Sequence, residues 1–163
     1  MTDLISTLFS PAPAPDRADK LALYGRFVGD WRFEAETRLA DGRLHKGVGE
    51  IHFGWALAGR AIIDCWILPG IFHGTTLRVY DPGLDAWHII WSDPVRQFYA
   101  RQLGRAQGGG IVQEGTLENG TRTRWSFSDI TPNSFTWSGE IQTGETSTGG
   151  PWQRQSLYHA TRT

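Results

Sequence analysis

Turn-forming pairs punctuate this chain at nearly regular intervals. They are Asp41-Gly42, Ala58-Gly59, Pro69-Gly70, Pro82-Gly83, Asp93-Pro94, Gly108-Gly109-Gly110, Asn119-Gly120 and Pro132-Asn133. Gly supplies positive φ at no steric cost and Pro fixes its own φ, so each pair reverses the chain. Between the breaks the side chains alternate with a period of two. The clearest case is Trp31, Phe33, Ala35, Thr37 and Leu39 set against Arg32, Glu34, Glu36 and Arg38. Such alternation marks a half-buried strand, and about ten of these segments follow one another at hairpin spacing.

A run of hairpins gives an antiparallel meander. Closing that meander into an up-and-down barrel removes the exposed edges that it would otherwise present. Gly47, Gly49 and Gly54 fall inside the segment Leu44–Leu57. Glycines within a strand mark the bulges and sharp coiling that closure requires. The fold expected is therefore mainly β: an antiparallel up-and-down barrel of about ten strands with one short N-terminal helix. That helix is expected from about Asp16, as N-cap, to Phe27, with Leu21, Tyr24 and Val28 at roughly helical spacing. Residues 1–15 end in Pro-Ala-Pro-Ala-Pro and read as a stiff, extended tether. Residues 16–163 read as a single barrel domain.

Eight tryptophans lie almost entirely on these strands. So many large amphipathic rings either plug the barrel with its own side chains or wall a cavity for a flat, apolar ligand. Trp87, Ile89 and Trp91 share one strand face and form a natural aromatic wall. Trp125 and Trp137 form an opposite wall or pack in the core. The ligand-binding candidates are Trp66, Trp87, Trp91, Trp137, His52 and Tyr158.

Composition narrows the partners. Sixteen basic residues balance seventeen acidic ones, with no charge block, so the basic stripe of a nucleic-acid binder is missing. The longest apolar stretch, Ala61–Leu68, is broken by Asp64 and is too short to span a membrane. The first ten residues carry an acid where a signal peptide carries positive charge, and the sole cysteine, Cys65, has no internal partner. Both features point to the cytoplasm. Exposed strand faces allow a homodimer. No glycine-rich phosphate loop, dinucleotide fingerprint or Gly-x-Ser-x-Gly elbow is present, which argues against a nucleotide-dependent enzyme.

Several short motifs occur in a characteristic order: Phe27-Val28-Gly29-Asp30-Trp31, Leu57-Ala58-Gly59-Arg60, Tyr80-Asp81 followed by Trp87 and Trp91, and Tyr158-His159-Ala160-Thr161-Arg162. In this the chain resembles the calycin or lipocalin-like barrels. It is most similar to a bacterial family of small barrels of unknown function related to the nitrobindins and fatty-acid-binding proteins. The resemblance spans about residues 27–162 and implies a barrel that binds heme, a fatty acid or another small apolar molecule. It would place a heme-ligating histidine at His159. The Gly-rich start of the nitrobindin second strand is absent, since Arg32-Phe33-Glu34 stands there. No cofactor is expected, and His159 is a ligand only if heme is bound.

A second reading makes the barrel a cofactor-independent lyase, isomerase, hydratase or cyclase working on an aromatic or polyketide-like substrate. Its candidate groups are Asp64, His73, Tyr99 and Arg101. Asp64 shares a face with Ile62 and Trp66, and a carboxylate among apolar neighbours has its pKa raised unless it is paired. Asp64 or His73 would move a proton, while Tyr99 and Arg101 would hold a developing oxyanion. Alternatively, Asp64 forms a structural ion pair with Arg101 or Arg78.

Overall fold

The structure, a computed structural model, describes residues 2–142 and 149–163. The Gly/Thr/Ser loop expected over 144–150 therefore lies, up to residue 148, outside the described residues. Ten strands follow one another along the chain: β2 (Gly29–Arg38), β3 (Leu44–Ala56), β4 (Ala61–Leu68), β5 (Phe72–Asp81), β6 (Ala86–Asp93), β7 (Phe98–Gln107), β8 (Gly110–Thr116), β9 (Arg122–Ser128), β10 (Ser134–Gln142) and β11 (Gln153–Arg162). Each pairs antiparallel with the next, and β11 returns to pair with β2. The sheet thus closes into the expected barrel, with every central strand paired on both sides.

Ahead of the barrel lie α1 (Leu4–Leu8), β1 (Phe9–Ser10), a 3-10 turn (Pro15–Arg17) and α2 (Ala18–Gly25). The segment read as a tether is docked. Strand β3 runs three residues beyond its last pairing with β2, at Phe53. β1 takes the edge left vacant there, pairing Phe9 with Ala56 and Ser10 with Trp55. Ala14 is buried, and its N–H donates to Gly59 O. Asp16 does not cap the helix. Its carboxylate accepts from Arg60 Nη1 at 3.1 Å, which holds its pKa below the ordinary carboxylate range.

α2 closes one end of the barrel. Leu21 and Tyr24 are fully buried, and Tyr24 meets Trp87 edge-on at 4.8 Å and Phe127 at 6.0 Å. Phe27 stacks on Phe127 at 4.8 Å and meets Phe135 at 5.0 Å. Each such ring pair adds about 0.5–1.5 kcal/mol beyond the area it buries. Gly104 makes room for this stopper, because a Cβ there would collide with the Tyr24 hydroxyl.

A polar chain crosses the interior above the stopper. Tyr24 Oη donates to Gln113 Oε1 at 2.8 Å, and Gln113 Nε2 donates to Gln102 Oε1 at 3.1 Å. Gln102 Nε2 then donates to Thr123 Oγ1 at 2.8 Å. Every member is buried and engaged, which is the condition under which such a chain is tolerated in a core. Among the described residues, no helix is long and apolar enough to cross a membrane.

Candidate functional site

Toward the open end, the inward rings form a closed belt. Trp91 meets Trp125 edge-on at 6.3 Å, Trp125 meets Trp137 at 5.8 Å, and Trp137 stacks on Tyr158 at 4.8 Å. Tyr158 meets Phe72 at 6.3 Å, and Phe72 returns to Trp91 at 6.1 Å. Trp66 joins beneath, 5.7 Å from Trp137 and 6.3 Å from Tyr158. The belt exists because small residues lie opposite large ones. A Cβ on Gly74 would land within the Trp91 ring, and one on Gly139 would press on Trp137. The register of β10 and β11 shifts at Gly139/Glu140, a bulge next to the belt.

These rings surround a partly open cavity of about 50 Å³, also lined by Thr76, Arg78, Arg96 and Phe98. Thr76 and Arg78 lie on the side toward the stopper and form its floor. Arg96 lies at the mouth, its guanidinium 4.9 Å from the Phe72 ring centre and 5.8 Å from that of Phe98. It is held there by Asp93, whose Oδ2 accepts from Arg96 Nε at 2.6 Å. Asp93 Oδ1 also accepts the N–H groups of Val95 and Arg96, which fixes the turn between β6 and β7.

Asp64 faces inward, and its partner is Arg78. Arg78 Nε donates to Asp64 Oδ2 at 2.9 Å, and the Thr76 N–H donates to Asp64 Oδ1 at 3.0 Å. Arg78 Nη1 donates to Gln113 Oε1 at 2.6 Å, and its guanidinium lies 4.8 Å from the centre of the Tyr24 ring. The side chains of Asp64 and Arg78 are 0% and 2% exposed. Both carboxylate oxygens are thus occupied, and Asp64 sits behind Arg78 rather than at the cavity surface. Of the two partners weighed from the sequence, Arg101 is excluded.

The other three acid–base candidates lie outside. His73 is exposed, and so is Arg101, whose Nη2 lies 3.4 Å from His88 Nδ1 on the outer face. Tyr99 is 54% exposed and donates to Gln97 Oε1. In β7 the inward positions are Phe98, Ala100, Gln102 and Gly104, so Tyr99 and Arg101 share a face, but it is the solvent face. The four groups do not converge.

Of the ligand-binding candidates, Trp66, Trp91, Trp137 and Tyr158 line the cavity. Burial pushes the Tyr158 phenol above its ordinary pKa. Trp87 faces inward but sits at the stopper, between Tyr24 and Tyr80. His52 is on the outer face, its Nδ1 2.7 Å from Asp30 Oδ1. Sequence reasoning passed over Phe72, Thr76, Phe98 and Arg96. The last was signalled only by Asp93-Pro94, a turn whose Asp positions the arginine.

His159 also points outward, beside Thr136 Oγ1 at 3.2 Å and the charged side chains of Glu34, Glu36 and Lys46. Among the described residues no histidine lines the cavity, so its wall offers no imidazole to a heme iron. The interior does not fit that group. Among the described residues, no cluster of three or more His, Cys, Asp or Glu could hold a metal ion.

No protein-family model matches the chain, and no curated protein resembles it in sequence. Solved structures do resemble it in fold. One is the S-type phycobiliprotein lyase CPES of Guillardia theta, at TM-score 0.60 and 14% sequence identity, over 93% of this chain and 98% of that one. Another is Rv2717c of M. tuberculosis, also at TM-score 0.60 and 14% identity, over 93% and 99%. Identity at this level shows the fold alone, a closed ten-stranded antiparallel barrel.

Proposed function

We propose that the barrel binds a small, flat aromatic molecule among the rings at its open end and serves as a carrier, sensor or sequestering protein for it. The observation that carries this reading is the belt from Trp91 through Trp125, Trp137, Tyr158 and Phe72. It surrounds open space instead of filling it, and the space ends on polar groups, as ligand sites do. The fold neighbour that is a phycobiliprotein lyase supports a conjugated, chromophore-like ligand.

The cavity volume of about 50 Å³ is well short of the roughly 300–1,000 Å³ of a drug-sized pocket. A ligand of two or more rings therefore enters by displacing side chains at the mouth. Arg96 is the residue placed to move, with its side chain 42% exposed. The dispersal of Asp64, His73, Tyr99 and Arg101 favours binding over acid–base turnover, because general acid–base catalysis needs its groups within hydrogen-bond reach of one reacting centre.

The test is quenching of tryptophan fluorescence during titration with hemin, fatty acids and phenolic or polyketide-like aromatics. Saturable quenching at micromolar concentration by an aromatic, weakened in Trp137→Ala and retained in His73→Ala, Tyr99→Phe and Arg101→Ala, is the expected result. A protein that no member of the panel quenches saturably is not a carrier for these classes.

A further inference from the structure

Two arginines line the cavity, and each is already neutralised. Arg78 is paired with Asp64, whose side chain is 0% exposed, and Arg96 is paired with Asp93, also 0% exposed. Asp64 and Asp93 are committed further to backbone N–H groups of Thr76, Val95 and Arg96. The space between the two pairs is therefore polar at both ends yet carries no net charge. An arginine held by a buried carboxylate has little attraction left for a second anion. Bringing a carboxylate out of water into such a space is unfavourable.

The floor does offer unspent donors. Trp66 is 4% exposed and lines the cavity, and its Nε1–H has no hydrogen-bond partner among the described residues. Buried donors are nearly always paired, so this orphan, itself closed off from the open space, marks a place where an acceptor is missing and is met once an entering ring parts the side chains beside it. Arg78 spends Nε on Asp64 and Nη1 on Gln113, and its Nη2 makes no hydrogen bond among the described residues.

We propose that the cavity selects an uncharged aromatic carbonyl compound, its ring held by the belt and its oxygen accepting from Trp66 Nε1–H, and that it discriminates against the corresponding carboxylate. This rests on the proposed binding function and names the ligand class for the same cavity. The chemistry that fits is a ketone, lactone or lactam oxygen on a flat conjugated ring.

The experiment is calorimetric titration of the full chain with three probes of similar size. Coumarin carries a ring carbonyl, naphthalene carries no acceptor, and 2-naphthoate carries a carboxylate. The native protein is expected to bind 2-naphthoate about tenfold more weakly than coumarin. Trp66→Phe keeps an aromatic ring but removes the N–H. It is expected to lower the affinity for coumarin relative to naphthalene by about fivefold, the scale of one net hydrogen bond. Asp93→Asn removes the buried charge opposite the partly exposed Arg96 and is expected to raise 2-naphthoate relative to coumarin.

Tighter binding of 2-naphthoate than of coumarin by the native protein overturns the selection of an uncharged ligand. A coumarin-to-naphthalene ratio unchanged in Trp66→Phe overturns the role of the indole N–H, and in both cases the binding function stands. If none of the three probes binds the native protein, the binding function and the inference resting on it fall together.

Discussion

Replacing Asp64 by Asn leaves shape almost untouched and changes one charge. The amide oxygen still accepts from the Thr76 N–H, so the lost element is the charge opposite Arg78 Nε. Removing one partner of a fully buried pair costs about 3–5 kcal/mol, because the other charge is left uncompensated. Arg78 keeps its bond to Gln113 and its place over the Tyr24 ring, which favours the lower figure, about 3 kcal/mol. For a chain of this size each kcal/mol moves the melting temperature by about 2–4 °C, so Asp64→Asn lowers it by about 6–12 °C. Urea unfolding followed by tryptophan fluorescence and far-UV circular dichroism gives the free energy, provided the two probes share one midpoint. The double variant Asp64→Leu, Arg78→Met removes both charges, and Tyr24 Oη still donates to Gln113. It recovers most of the loss, to within about 1.5 kcal/mol of the native protein, as replacement of buried pairs by apolar residues generally does. An Asp64→Asn protein that melts within about 2 °C of native, with a double variant no better than either single one, refutes the view that this pair holds Arg78 in the interior.

Three further outcomes follow from the same contacts. Gly74→Ala drives a methyl group into the Trp91 ring and against Ser92 O, and costs about 1–3 kcal/mol in thermal melts; a neutral result would mean that β5 can move away from the belt. Burial raises the Tyr24 and Tyr158 phenols above their ordinary value of 10.0, so the stability they contribute is whole below pH 10 and is lost as pH rises beyond it. Melts across the alkaline range should show that loss, with tyrosinate absorbance from these two rings appearing only on unfolding; smooth titration of all four tyrosines in the folded protein would contradict it. Arg96→Ala leaves the buried Asp93 carboxylate with only its backbone N–H partners and costs about 1.5–3 kcal/mol of stability, while speeding ligand association in stopped-flow measurements; an unchanged rate would show that Arg96 does not close the mouth.

Much of the barrel is written locally. The turn pairs and the period-two alternation fix where strands begin and end, and the β2 alternation places Trp31, Phe33, Ala35 and Thr37 inside. The inward face of Asp64 follows in the same way from Ile62 and Trp66 on either side. What alternation gives is a face, not a depth. Trp87 and Trp91 share an inward face, yet one is spent on the stopper and the other lines the cavity, because they lie at different heights in the barrel. Nor is hydrophobicity a safe guide to the inner face where the interior is polar. In β5 the inward residues include Thr76 and Arg78, while Leu77 and Val79 are turned toward the outside. In β7 the inner positions after Phe98 are small or polar, and Gly104 is bare because Tyr24, about eighty residues away in sequence, occupies the space beside it. Nothing within β7 itself announces that tenant, so Tyr99 and Arg101 look like the better lining. Arg78 as the partner of Asp64 was readable only as one of two options, since the choice depends on which neighbouring strand turns a cation inward.

A vessel sealed at its base has to be emptied through the opening by which it was filled. With Tyr24, Phe27 and Trp87 packed across one end, the described residues leave no second route by which an incoming molecule could push an outgoing one ahead of it. Exchange therefore runs at the pace of departure, however abundant the next ligand is outside. On the proposed carrier reading, a protein that receives the ligand meets the barrel at the rim that holds the turns after β4 and β6, where Arg96 stands across the way.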